Sequence, residues 1–283
     1  MIADVQEHLR HTCERLLRDG KVDVVIGYGQ DAPEKPAYPV FITRAEEVSK
    51  LIWNDRCFAN LTTYVTRKSI RALGKPAIVV KGCDERALVV LAQESQIDRS
   101  ALYVIGVACA GVGEPRAAKC AACAVHKPRF ADETIGDVPE SQSEGERNAD
   151  LDQFLRKTPA ERAAFWMEEL ARCVKCYACR EVCPMCYCNR CIVDKNRPTV
   201  IDTSATLKGN FAWHITRAFH QAGRCIGCDE CTRVCPAGIN LRLLNQTLAR
   251  AAEEHFHYRA GMDPDTPPVI GAYSPEDKES FIL

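Results

Sequence analysis

Two things are missing from this sequence, a net charge and a long apolar run, and each absence excludes a class of protein. The 37 basic residues nearly balance the 38 acidic ones, leaving a net charge of −1. No global field therefore draws the chain to nucleic acid or to an anionic membrane. No apolar stretch approaches the roughly 20 residues that a bilayer requires, so no membrane span is expected. The N-terminus, MIADVQEHLRHTCERLL, carries charges throughout and has no apolar signal core. It reads as an amphipathic helix of an unexported, cytoplasmic protein. With 283 residues, 46% of them hydrophobic, the chain is long enough to bury real cores in about two domains.

Cysteine is what the sequence has in excess, 17 residues in all. In an unexported chain, C-x-x-C clustering favours metal ligation over cross-linking. The run Cys173, Cys176, Cys179, Cys183, Pro184 follows C-x-x-C-x-x-C-x-x-x-C-P and recurs as Cys225, Cys228, Cys231, Cys235, Pro236. In two-cluster ferredoxins the fourth cysteine of each such run ligates the other cluster. The spacing therefore predicts one 4Fe-4S cluster on Cys173, Cys176, Cys179 and Cys235, and another on Cys225, Cys228, Cys231 and Cys183. Zinc is the competing metal, but structural zinc sites use paired C-x-x-C elements around one ion. A third cysteine at the same interval followed by C-P is the iron–sulfur signature.

Upstream of these runs, strand and helix signals alternate. Lys21 to Gly29 reads as a buried strand, followed by a proline-rich loop and a helix. Then come helix (Ala59 to Leu73), strand (Ala77 to Lys81), helix (Asp84 to Gln93) and strand (Ala101 to Val107). This order predicts an α/β domain with a mainly parallel sheet. Gly27 and Gly29 read as a turn, with a phosphate loop as the lesser alternative. The segment from Asp132 to Asp150 is acidic and polar and reads as a linker or exposed loop. Thr158-Pro159-Ala160-Glu161 starts a helix with a threonine cap, proline at the first position and a capping-box glutamate. Further helices are expected over Asn210 to Gly223 and Ile239 to Phe256, making the second domain an all-α two-cluster ferredoxin. Phe165, Trp166 and Leu170 read as its core. His214 and His220 read as satisfied or surface histidines before ligands. The expected divisions are 1–137 for the α/β domain, 138–152 for the linker, 153–260 for the cluster domain and 261–283 for an extended arm.

The other cysteines fall into two groups. Cys83 and Cys109 lie just past the carboxyl ends of strands, where open sheets place ligands, and Cys120 and Cys123 form a C-x-x-C. Together they are a candidate third cluster; small buried hydrophobes, zinc or a redox dithiol are the alternatives. Cys186, Cys188 and Cys191 follow the first run closely and need a fourth partner, for which Cys57 is the candidate. That would be a fourth centre, iron–sulfur or zinc. Cys13 reads as structural. A cubane on four thiolates is negative, and the sequence places Arg172, Lys175, Arg180, Arg190, Lys195, Arg197, Arg224, Arg233, Lys119 and Lys127 around the cysteines. Three or four such centres in one chain, about 12 to 16 irons, make sense as a wire between a donor and an acceptor.

The segments GKPAIVVKGCDERALVVLAQ, LYVIGVACAGVGEP and KCAACAVHKPRFADETIGD resemble, in order and spacing, the beta-subunit family of coenzyme F420-reducing hydrogenase and F420-dependent formate dehydrogenase. The resemblance runs from about Val22 to Asp137 and implies a cluster on Cys83, Cys109, Cys120 and Cys123. Residues 151–260 resemble the helical ferredoxin module of heterodisulfide reductase and succinate dehydrogenase iron–sulfur subunits. The arrangement is similar to bacterial proteins that accompany formate dehydrogenase, hydrogenase or heterodisulfide-reductase-like partners. Flavin-bearing members carry a serine/glycine-rich segment before the first helix, which this sequence does not contain. That departure counts against both FAD and the deazaflavin substrate, and without them the chain would be an electron-transfer component of an oxidoreductase with no substrate chemistry of its own. Its partners would be a flavoprotein or a catalytic dehydrogenase or hydrogenase subunit. A flavin-dependent reductase of coenzyme F420 and a zinc-stabilised scaffold are the alternatives.

Overall fold

The structure, a computed structural model, describes residues 2–121, 123–139, 149–194, 198–199 and 201–269. After α1 (Ile2–Arg18), the run VVIGYG forms β1 (Val24–Gly29), buried at every position. Such a continuous apolar run suits a strand covered on both faces. Next come β2 (Tyr38–Ile42), the short α2 (Lys68–Arg71), β3 (Pro76–Val80), α3 (Gly82–Gln93) and β4 (Tyr103–Val107), then α4 (Ala118–Ala121) and β5 (Glu133–Ile135). The sheet order is β2-β1-β3-β4-β5. Only β2 runs antiparallel, so the sheet is mixed and mostly parallel.

Three local expectations need correction. The helix expected over Ala59 to Leu73 is a 3-10 turn at Leu61–Tyr64 followed by α2. Thr62, Thr63, Val65 and Thr66 are β-branched and oppose a continuous helix, while the Asn60 side chain accepts from Thr62 N at 3.0 Å and favours the tighter turn. The helix expected after the proline-rich loop shrinks to a 3-10 segment, Ala45–Lys50, because Tyr38–Ile42 pairs with β1 instead. Pro39 is tolerated there because β2 is an edge strand. Part of the segment read as linker from Asp132 is β5, which closes the sheet beside β4.

After β5 the elements are helical: α5 (Ala149–Leu155), α6 (Pro159–Ala171), α7 (Ala178–Glu181), α8 (Leu207–Gln221), α9 (Glu230–Arg233) and α10 (Leu241–Phe256). α6 starts on the expected capping box: Glu161 N donates to Thr158 Oγ1 at 3.3 Å, and Thr158 N donates to Glu161 Oε2 at 2.7 Å. α6 and α10 pack on α8, and Phe154, Trp166, Leu170 and Trp213 fill the space between the helices. Among the described residues no helix is long and apolar enough to cross a membrane.

The helical part is fastened to the sheet along α3. Arg86 donates to Ala260 O and Ile226 O, at 2.7 and 3.1 Å. Glu94 accepts from Arg224, and Gln93 Nε2 donates to Thr266 O at 2.7 Å. Met185, Ile226, Tyr258 and Ala260 join the same core as the strands. Gln93 thus holds the start of the segment read as an extended arm; residues 270–283 of that arm and 140–148 of the linker lie outside the described residues.

Candidate metal centres

The two cysteine runs fold alike. Lys175 and Gly227 occupy the same place in each run, as do Tyr177 and Asp229, and all four have positive φ, between 53° and 73°. Those left-handed residues curl the chain tightly before α7 and α9. The curl gathers the first three cysteines of each run on one side. Each fourth cysteine, at the end of its short helix, is delivered to the other run.

Cys173, Cys176, Cys179 and Cys235 line one cavity, of about 380 Å³ counted to its open mouth. Cys225, Cys228, Cys231 and Cys183 line another, of about 390 Å³. These are the two sets that the spacing predicts. Among the described residues no three Cys, His, Asp or Glu side chains converge closely enough to hold a single ion. The sulfurs surround spaces instead of meeting at points, a fit to cubanes, whose thiolates bind different irons. Burial pushes the Cys231 thiol up to about 12 and Cys179 up to about 11. Thiolates at such positions require the positive charge of bound iron to replace their protons.

α8 supplies a ladder of polar groups to both sets. Asn210, His214, Arg217 and Gln221 are all buried on its inner face. Asn210 Nδ2 donates to Cys173 O at 2.8 Å. His214 Nε2 lies 3.2 Å from Cys173 Sγ. Burial, with Arg217 and Lys175 alongside, pushes the imidazole down to about 3, so it is neutral and serves as an N–H donor to a thiolate. Arg217, only 4% exposed, donates to Cys179 O at 3.0 Å. Burial opposes its charge, but Cys186, Cys183, Cys179 and Cys231 surround it and hold its pKa above the ordinary arginine value. This one guanidinium therefore stands between the first set and the second. From α10, Asn245 and Gln246 donate to Cys231 and Cys225, at 3.6 and 3.5 Å.

The third set gathers at the carboxyl end of the sheet. Cys83 opens α3 directly after β3, Cys109 follows β4, and Cys120 and Cys123 flank the end of α4. All four line a cavity of about 1060 Å³, nearly three times the size of either other cavity. Val112 N donates to Cys120 Sγ at 3.4 Å. Behind the cysteines Lys81 is buried against Tyr28 Oη, Asp84 Oδ2 at 2.8 Å and Ala59 O at 3.0 Å. Gly82 is needed for this convergence, because a Cβ there would overlap the carbonyl of Val125, two residues past Cys123. Replacing Gly82 with alanine is expected to cost about 1–3 kcal/mol through overpacking. Thermal unfolding checks the cost, and an iron assay should show a loss at this site.

Cysteine Cys225 lines the large cavity as well as the second one, so the third and second sets are neighbours. Two buried cations occupy the boundary. Arg86 lies among Cys123, Cys225 and Cys83, and Lys119 near Cys83 and Cys228. The order in space is third, second, first. The first set ends at the surface, where Cys176 is exposed and Val174 is 65% exposed.

Of the fourth set, Cys186 and Cys188 line one groove and Cys191 has Cys186 as a neighbour, but Cys57 lies elsewhere. Cys57 is in the core of the sheet half, takes a hydrogen bond from Asn54 N at 3.4 Å and has Lys81 and Cys109 as neighbours. Cys186 instead contacts Cys183, Arg217 and Gln221. Cys188 is exposed, and Cys191 lies near Asp194 and Arg180. Cys57 was joined to these three by elimination among leftover cysteines, which carries no spatial information. Arg86 and Arg217 escaped the sequence reading. The signal for Arg217 is in α8, where Asn210, His214, Arg217 and Gln221 recur at helical spacing on what would otherwise be an apolar face. His220, by contrast, is exposed, and Lys195 and Arg197 lie outside the described residues.

Comparison with known proteins agrees with this geometry. Residues 168–239 match the family model of the 4Fe-4S dicluster domain. Over most of its length the chain is similar to the F420-dependent formate dehydrogenase subunit beta of Methanocaldococcus jannaschii, at 23% identity over 90% of this chain and 91% of that one. It is likewise similar to the F420-dependent formate dehydrogenase 1 subunit beta of Methanococcus maripaludis, at 22% identity over 92% of each chain.

Proposed function

We propose that this chain is an iron–sulfur electron-transfer subunit of a cytoplasmic oxidoreductase complex. It relays single electrons through three 4Fe-4S clusters held by Cys83, Cys109, Cys120 and Cys123, by Cys183, Cys225, Cys228 and Cys231, and by Cys173, Cys176, Cys179 and Cys235. The observation that carries this reading is the adjacency of three cysteine-lined cavities, with buried cations in the gaps between them. A cluster gains negative charge on reduction, and a cation shared by two clusters favours the electron on either side of it. The surface position of the first set supports an exchange of electrons with a partner there, and the relatives named as beta subunits support a multisubunit assembly. In this reading residues 1–137 form the α/β unit and 153–260 an all-helical dicluster module of heterodisulfide-reductase type, with 261–283 as an arm.

A second reading is favoured by the size of the third cavity, which exceeds the space lined by either ferredoxin-type set and is bordered by Lys81, Arg86, Lys119, Arg250 and Arg259. Room and positive charge beside a cluster suit a flavin-dependent reductase of coenzyme F420 or a similar hydride carrier. Anaerobically purified holoprotein separates the two. About 12 irons per chain with no flavin released by acid is the expected result. About one flavin per chain would favour the second reading, and a colourless zinc-loaded protein would overturn both.

A further inference from the structure

The thiol of Cys186 lies beside the second site but outside its four-ligand set. Cys183-Pro184-Met185-Cys186 forms a turn closed by Cys186 N donating to Cys183 O at 3.0 Å. The turn sets both thiols against the same side-chain amide. One side chain serves both: Gln221 Nε2 donates to Cys186 Sγ at 3.4 Å, and Gln221 Oε1 accepts from Cys183 Sγ at 3.7 Å. Arg217 faces both sulfurs and has a buried Nε with no hydrogen-bond partner. A leftover cysteine packed as a small hydrophobe has no use for a buried guanidinium and an amide. Arg217 suits a sulfur that carries negative charge, and the Gln221 amide offers its N–H to Cys186 and its oxygen to Cys183.

We propose that Cys186 is an exchange ligand of the second 4Fe-4S cluster, replacing Cys183 on the same iron. The proposal rests on the reading of the second site given above. In the exchange the Fe–S bond to Cys183 breaks and one to Cys186 forms. The proton of the Cys186 thiol passes to the released Cys183 sulfur, both sulfurs lying against the Gln221 amide. No electron is gained or lost. Arg217 need not move, and the Gln221 amide turns over so that its Nε2 faces whichever sulfur is bound to iron. Both cysteines also line an open groove beside Arg67 and Lys68, so the exchange occurs on the groove side of the site.

The test uses the full chain, purified anaerobically, with iron counts and electron paramagnetic resonance of the reduced protein. Alanine is the substitution of choice because it offers no replacement ligand. Cys183→Ala is expected to keep the iron of the second cluster, about 12 per chain, with an altered resonance signal. Cys186→Ala should keep the iron, held by Cys183 alone. Cys183→Ala with Cys186→Ala should lose about four irons and the second signal, the surviving first and third clusters reporting a folded chain. Loss of the second cluster in Cys183→Ala alone would overturn the proposal, as would its survival in the double variant. Cys228→Ala has no such neighbour and should lose the cluster outright. If it did not, the reading of the second site would be wrong, and the proposal would fall with it.

Discussion

Arg217→Met is expected to cost the holoprotein about 3–5 kcal/mol, the usual penalty for leaving a buried charge without its partner. The same change should lower the reduction potentials of the first and second clusters together and spare the third. The guanidinium is 96% covered, counting from its 4% exposure, and stands among Cys179 of the first set and Cys183 and Cys231 of the second. Reduction adds negative charge to a cluster. Removing a nearby cation therefore disfavours the reduced form and moves the potential down. The third cysteine set has its own cations, Arg86 and Lys119, and a cluster there should not respond. Denaturant unfolding of the holoprotein measures the first effect, and a potentiometric titration followed by paramagnetic resonance measures the second. Arg217→Lys should recover much of the potential but less of the stability, since an ammonium keeps the charge and loses the planar fork that reaches the Cys179 carbonyl. A Met variant whose two potentials match the unmodified chain would reduce Arg217 to a packing residue.

The legible parts of this molecule are those whose determinants lie close together in the chain. The cysteine runs carry their geometry in their spacing, because the left-handed residues at 175, 177, 227 and 229 leave each trio of thiols only one side on which to gather. The start of α6 is likewise written in four consecutive residues. The strand-end positions of Cys83 and Cys109 followed from the apolar runs before them, and the parallel pairing of β3 with β4 brings those two ends side by side. Where an assignment requires distant segments to be matched without a repeat or a strand end, no local pattern guides it. Cys57 was grouped by elimination, whereas burial among Trp53, Leu61 and the strands decides where it lies. β5 is only three residues long and owes its existence to a neighbouring strand; such a segment has no periodicity of its own to read. The helix expected at 59–73 fails for a local reason: the β-branched residues and the Asn60 cap favour a 3-10 turn at Leu61–Tyr64.

The most direct test of the crossed ligand arrangement is at Cys235. This residue belongs to the second run by sequence, following α9, yet lines the cavity of Cys173, Cys176 and Cys179. Cys235→Ala is expected to remove the first cluster, about four irons per chain, while the resonance of the second cluster persists. The contrast with Cys183 is physical. Cys183 shares the Gln221 amide with a second thiol, that of Cys186, whereas the cysteines that line the first cavity, among the described residues, are the four of the set itself. The two fourth ligands thus occupy equivalent positions in the repeat and should respond differently to the same substitution, one with loss of iron and the other with retention. Because the first set is the one that reaches the surface, electron exchange with a partner should stop in the Cys235 variant even though the inner clusters remain reducible. Loss confined to the second cluster would instead mean that each run holds its own four thiolates, and the two halves of the repeat would no longer clamp each other.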